Sequence, residues 1–135
     1  MKLDSAGLQV LSREECLLLL STTPIGRVVF TDRALPAVQP VGFRLDGEDI
    51  VIRTTAGSKL ATATRDAVVA FEADDFDAVL RTGWSVTAVG HARAVRPGEA
   101  ARLAGLPVAT WWLSGGEDHF IVVDTEQISG RRIRR

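Results

Sequence analysis

Apolar residues along the chain fall into blocks with two spacings, and turn-forming residues separate the blocks. The first block is helical. Residues 1–11 end in the apolar pair Val10 and Leu11, after which Ser12 and Glu15 stand at the three-residue offset of a capping box. In such a helix the Ser12 hydroxyl accepts the first free backbone N–H groups, Leu11 and Cys16 form a hydrophobic staple, and Cys16, Leu19 and Leu20 make an apolar stripe. Pro24 predicts its end.

From Ile25 the texture becomes β-branched and aromatic. The runs IGRVVFTD (25–32), PAVQPVGFRL (36–45) and DIVIRTT (49–55) are divided by TDRALP and LDGED, whose Asp and Gly favour turns. They predict three strands of an antiparallel meander. SKLATATRD, bounded by Gly57 and Asp66, carries Ala and Leu at helical spacing and predicts a short helix, and AVVAFEAD then predicts a fourth strand. The stretch DDFDAVLRT is expected to be a polar loop. GWSVTAVGHARAV (83–95) follows, long enough for a strand that crosses a whole barrel. Its alternation puts Trp84, Val86, Ala88, Gly90 and Ala92 on one face and Ser85, Thr87, Val89, His91 and Arg93 on the other. Pro97 opens the helical stretch PGEAARLAG, Gly115 and Gly116 break what comes next, FIVVDTEQI predicts the last strand, and the chain ends in GRRIRR. With no internal repeat and no linker, the expectation is one domain over residues 1–135. Its class is mainly β: about six antiparallel strands with short helices, in a small closed or nearly closed barrel.

Composition narrows the function classes. The 135 residues include 16 Lys plus Arg against 17 Asp plus Glu, a net charge of -1, which is a poor basis for nucleic-acid binding even with Arg131, Arg132, Arg134 and Arg135 at the end. The single cysteine, Cys16, forms no internal disulfide and builds no zinc site alone, so a reducing, cytoplasmic setting is expected. The densest apolar run, Cys16 to Leu20, is far short of a membrane span. His91 and His119 lack a ligand spacing, and no metal site is expected.

The most informative stretch is IVIRTTAGSKL (50–60). A strand ending in Arg53, Thr54 and Thr55 turns through Gly57 into Ser58 and Lys59, so two cations, three hydroxyls and free N–H groups are available to one phosphate. The Walker spacing is absent. A solvated turn with a serine cap is the plain alternative. GWSV (83–86) offers a ring and a hydroxyl to a planar ligand, although tryptophans more often fill cores. In AVQPVGF (37–43), Pro40 cannot donate to a ladder, which predicts an edge or a bulge with free backbone groups nearby.

Taken in order, LSREEC, IGRVVF, PAVQPVGF, IVIRTTAGSKL, VAFEADDFD, GWSV followed by GHA, and ISGRRI resemble the small split-barrel branch of the pyridoxamine 5'-phosphate oxidase-like flavoproteins, over nearly the whole chain. The resemblance implies a homodimer of six-stranded split barrels with FMN at the subunit interface. It implies that Arg53, Thr54, Thr55, Ser58 and Lys59 surround the FMN phosphate and that Gln39, Pro40 and Val41 face the isoalloxazine ring. It also implies that Trp84 and Ser85 close the pocket, from either subunit. Trp111 and Trp112 are expected to pack the dimer core or to cover the flavin. The implied function is an FMN-dependent oxidoreductase acting on a small organic substrate, without a catalytic side chain that can be named. The alternatives are a reductase that uses a deazaflavin coenzyme, or a non-catalytic flavin- or haem-binding module. The chain lacks a clear match to the basic C-terminal substrate motif of the vitamin B6 oxidases.

Overall fold

The computed structural model describes residues 1–111, 113 and 115–134. Its elements in chain order are β1 (Gln9–Val10), α1 (Arg13–Leu20), β2 (Ile25–Asp32), β3 (Leu35–Asp46), β4 (Asp49–Thr55), α2 (Lys59–Ala63), β5 (Val68–Asp77), β6 (Thr82–Arg93), α3 (Ala100–Ala104), β7 (Asp118–Val123) and β8 (Gln127–Ile133). The sheet order is β1-β8-β6-β5-β2-β3-β4-β7, and the far end of β6 also pairs with β7 through Ala92 and Arg93. That last pairing closes a ring of six antiparallel strands, β6-β5-β2-β3-β4-β7, while β8 and β1 extend the sheet beyond β6. The barrel class and its mainly β character match the sequence reading. The strand count is eight rather than six.

Two expectations about strand limits are corrected. Asp74 to Asp77 do not belong to a loop, because β5 and β6 stay paired out to Asp77 opposite Thr82, and the turn is only residues 78–81. The Asp77 carboxylate accepts the N–H groups of Val79 and Leu80, both at 2.9 Å, so polar residues here end a long hairpin instead of a short strand. FIVVDTEQI is likewise not one strand. It breaks at 124–126, and ISGRRI forms β8.

The side-chain network shows why it breaks. Thr125 is buried, its hydroxyl donates to the Glu48 carbonyl at 2.8 Å, and Arg13 of α1 donates to the Thr125 carbonyl at 2.6 Å and to its hydroxyl oxygen at 2.8 Å. Asp124 accepts the Glu126 N–H at 3.1 Å and the His91 N–H at 3.2 Å. Gly90 makes this corner possible, since a Cβ there would lie 2.0 Å from the Asp124 carbonyl oxygen.

The capping box forms as its spacing predicts, with the Ser12 hydroxyl accepting from the Glu15 N–H at 3.1 Å and Glu15 accepting from the Ser12 N–H at 2.9 Å. Leu11, Cys16 and Leu20 are buried in the main core. α1 stops at Leu20, before Pro24, because the Ser21 and Thr22 hydroxyls turn back onto the Leu18 and Leu19 carbonyls, both at 2.6 Å. Inside the barrel, Phe43 and Phe71 meet edge to face at 4.7 Å, surrounded by Val28, Phe30, Ile50, Ile52, Val86 and Ile121. A second, smaller cluster of Val51, Leu103, Phe120 and Val122 lies on the outer face, under α3. Among the described residues, the side chains of this core fill the barrel interior, as the size of the ring requires.

Replacing Gly90 by Ala is expected to destabilise the protein by about 1–3 kcal/mol, because the added methyl meets backbone that is itself held at the corner. Urea unfolding followed by circular dichroism measures this, and an unchanged midpoint would show that the corner is not pressed against β6.

Candidate functional site

Strand alternation decides which of the residues around the β4–α2 turn work together. Ile50, Ile52 and Thr54 face the barrel interior, so Val51, Arg53 and Thr55 face outward. Thr54 is buried with its hydroxyl 3.3 Å from the Ser58 hydroxyl. Ser58 caps α2 by accepting the Ala61 N–H at 3.1 Å. Lys59, next in the chain, is largely exposed and reaches Asp32 at the end of β2, with Nζ 3.2 Å from the carboxylate. Thr54 and Ser58 therefore form one hydroxyl pair, and Lys59, the next residue, reaches along the surface to Asp32.

Arg53 and Thr55 form another, on the far face of β4. The Arg53 guanidinium pairs with Asp118 at 2.5 Å and lies 5.8 Å over the Phe120 ring, while its Nε is buried without a partner among the described residues. The Thr55 hydroxyl donates weakly to the Gly115 carbonyl at 3.4 Å. The expected convergence of five side chains is thus divided between two faces, because a strand cannot send consecutive residues the same way.

Beside Lys59 is a recess of about 380 Å³ lined by Asp32, Arg33, Lys59, Thr62 and Ala63. Asp32 and Arg33 come from the tight turn between β2 and β3, within a stretch the sequence reading treats as a turn without chemistry. Pairing of Asp32 with Leu35 brings that turn to the start of α2.

The first half of β3 pairs only with β2, since its contact with β4 begins at Phe43, so this half is an edge, as Pro40 predicts. Val41 is buried in the core, Gln39 shares its face and is half-buried, and Pro40 points outward and is exposed opposite Arg27. Trp84 is in the core with Val86 and Ala88, the position its alternation dictates, and Ser85 is half-buried on the outer side between Asp74 and Arg131. Trp111 is exposed, while Trp112, Ser114 and Arg135 lie outside the described residues.

The outer face opposite Pro40 carries a strongly perturbed carboxyl. Arg27 Nη1 is 3.1 Å from Glu72 and 3.5 Å from Asp74, two carboxylates on the same face of β5. Burial and the neighbouring Asp74 push the Glu72 carboxyl up to about 7, against the pull of Arg27. Next to this triad runs an apolar row across four strands, Val38, Val29, Ala70 and Val89, matched in register and with Val38 well exposed. Elsewhere burial raises the Cys16 thiol, and Arg93 holds Glu99 down to about 2. Among the described residues, no helix is long and apolar enough to cross a membrane.

Comparison with known proteins agrees on one group. Residues 12–132 match the family described as Pyridoxamine 5'-phosphate oxidase. The uncharacterised protein Rv0080 of Mycobacterium tuberculosis is 38% identical over 129 residues, which span 91% of this chain and 84% of that one. The solved FAD binding protein from Mycobacterium smegmatis is 35% identical with a TM-score of 0.81, over 93% of this chain and 100% of that one. An FAD-binding protein from Mesorhizobium loti shares the fold, with a TM-score of 0.77 at 20% identity over 94% and 99% of the two chains.

The Glu72 carboxyl gives a pH prediction. Its folded-state pKa of about 7 lies above the ordinary 4.5, so its contribution to stability is fully present below about 4.5 and is lost as pH rises through 7. Glu72→Gln is therefore expected to gain stability relative to the wild type between pH 5 and pH 8. Denaturant unfolding of both proteins at the two pH values tests this, and equal pH dependence would refute it.

Proposed function

Because the chain belongs to the pyridoxamine 5'-phosphate oxidase family, we propose that it is a flavin-dependent oxidoreductase that holds the flavin's ribityl phosphate at the β4–α2 turn. The observation that carries this reading is that the Thr54–Ser58 hydroxyl pair at the β4–α2 turn runs directly into Lys59, which lines a surface recess. Hydroxyl donors and a cation are what a dianionic ester needs, so the residues fit the group. FMN ends in this phosphate. The M. smegmatis FAD binding protein supports a flavin in general.

When bound, the flavin supplies the electron transfer, and the chain supplies anchoring, orientation and control of access. Lys59 releases part of its pairing with Asp32 to bind the phosphate, and Thr54, fixed by burial, sets the depth at which Ser58 donates. Gln39 and Pro40, on the half of β3 that pairs only with β2, offer the ring an edge whose backbone groups are not all committed to a ladder. No side chain is required as an acid or base.

A homodimer is part of the same proposal. The barrel interior is filled, so a tricyclic ring needs an outer surface, and a second chain gives that surface its other wall. The row Val38, Val29, Ala70 and Val89 is an apolar strip of the kind a second copy covers.

Two measurements check this. Lys59→Ala is expected to weaken FMN binding by about 10- to 150-fold in a fluorescence titration, the loss of one charge-assisted contact, while Arg53→Ala, on the opposite face, changes it far less. Sedimentation equilibrium is expected to give a dimer for the wild type and a monomer for Val38→Asp. A wild type that sediments as a monomer with flavin bound would remove the dimer and leave the phosphate anchor.

A further inference from the structure

The ring of strands is not closed along its whole height. β7 meets β6 only through Val122 and Val123, so its earlier residues, Asp118 to Ile121, have β4 on one side and no ladder partner on the other among the described residues. Two adjoining recesses lie at this open edge and share Ala94 and His119 as walls. The wider, of about 490 Å³, is completed by Val95, Ala100, Ala104, Asp118 and Phe120. The narrower, of about 20 Å³, reaches Thr64 and Arg65 at the end of α2, with Arg93 beside them.

The two ends differ in chemistry. In the wide one, Ala100 and Ala104 stand one turn apart on α3, and their small side chains leave an apolar space against Val95 and Phe120. The carboxylate there, Asp118, is already answered by Arg53. At the narrow end Arg93 is committed to Glu99 through both terminal nitrogens, at 2.8 and 3.0 Å, and the Thr64 hydroxyl donates to the Leu60 carbonyl at 2.7 Å. Arg65 is exposed and makes no hydrogen bond or ion pair with any described residue, and the half-buried His119 ring makes no hydrogen bond with one either. This end therefore offers one uncompensated positive charge and a ring nitrogen, in a space with room for little more than a water-sized group such as the head of a carboxylate.

We propose that the cleft at the open edge of β7 binds a small organic monocarboxylic acid, with its apolar body in the recess against α3 and its carboxylate at Arg65 and His119. The planar guanidinium suits a carboxylate in two-point contact. A second carboxylate on the ligand would meet Asp118, so the cleft selects a monoacid over a diacid. None of its lining residues belongs to the recess beside Lys59, so the proposal stands independently of the flavin reading.

Calorimetric titration of the full chain with benzoate and with benzamide, its uncharged isostere, tests this, with excess FMN present throughout so that neither probe reports on the phosphate anchor. Benzoate is expected to bind saturably and more tightly than benzamide. Arg65→Gln is expected to weaken benzoate about 10-fold or more and to leave benzamide at its wild-type affinity, which also shows that the fold is retained. Ala104→Leu, which fills the apolar end, is expected to weaken both. Absence of saturable benzoate binding overturns the site, an equal loss of both probes in Arg65→Gln overturns the role of the charge, and unchanged binding in Ala104→Leu overturns the placement of the apolar body.

Discussion

Ring closure is the constraint on which the rest depends. A sheet edge exposes unpaired backbone groups, and here the strip β6-β5-β2-β3-β4-β7 removes most of that cost by joining β7 back onto the end of β6. The seam is short, Ala92 and Arg93 against Val122 and Val123, and the corner at 124–126 allows it by lifting the chain off one sheet and onto β8. Arg13, Thr125, Glu48 and Gly90 all serve that corner. Once the ring is closed its interior fills with Phe43, Phe71 and the aliphatic residues around them, and chemistry is left to the outer surface and the rims.

On that surface, charge is arranged in locally balanced groups. Arg53 answers Asp118, Lys59 answers Asp32, Arg131 answers Asp4, and Arg27 answers both Glu72 and Asp74. A chain with a net charge of -1 therefore presents few places where an anion gains from Coulomb attraction, and the near-neutral total hides where they are. The recess beside Lys59 holds Arg33, which has no ion pair among the described residues. Arg33 comes from the β2–β3 turn and Lys59, Thr62 and Ala63 come from α2, and only the fold brings the two stretches together.

Most of the fold was legible from the sequence because its signals are local. The capping box at Ser12, the period-two runs at 25–32, 36–45 and 49–55, and the buried face of β6 are all read from neighbours within a few positions. The errors have the opposite character. Asp74 to Asp77 look like loop because they are polar, yet they form the end of a hairpin whose partner strand lies alongside it. The break after Val123 depends on Arg13 and Glu48, more than 70 residues away in sequence, so no window contains its cause.

The candidate site reads from the sequence as one stretch, and the strand geometry divides it. Thr54, Ser58 and Lys59 follow from one stretch of chain, but alternation along β4 turns Arg53 and Thr55 away from them, and the same rule puts Trp84 in the core. Asp32 and Arg33, which line the recess beside Lys59, do not stand out in the sequence because a turn motif such as TDRALP has an ample structural explanation. What would have flagged Arg33 is its misfit to the turn: a two-residue hairpin loop favours asparagine or glycine, and the chain has an arginine.

β6 touches β5 along nearly its whole length, β8 over its first part and β7 at its end. One residue added or removed within it would put three seams out of step together and turn its buried row outward. Changes in length among relatives should therefore collect in connections such as 78–81 or the stretch after Arg93, where an insertion lengthens a crossing without disturbing any ladder.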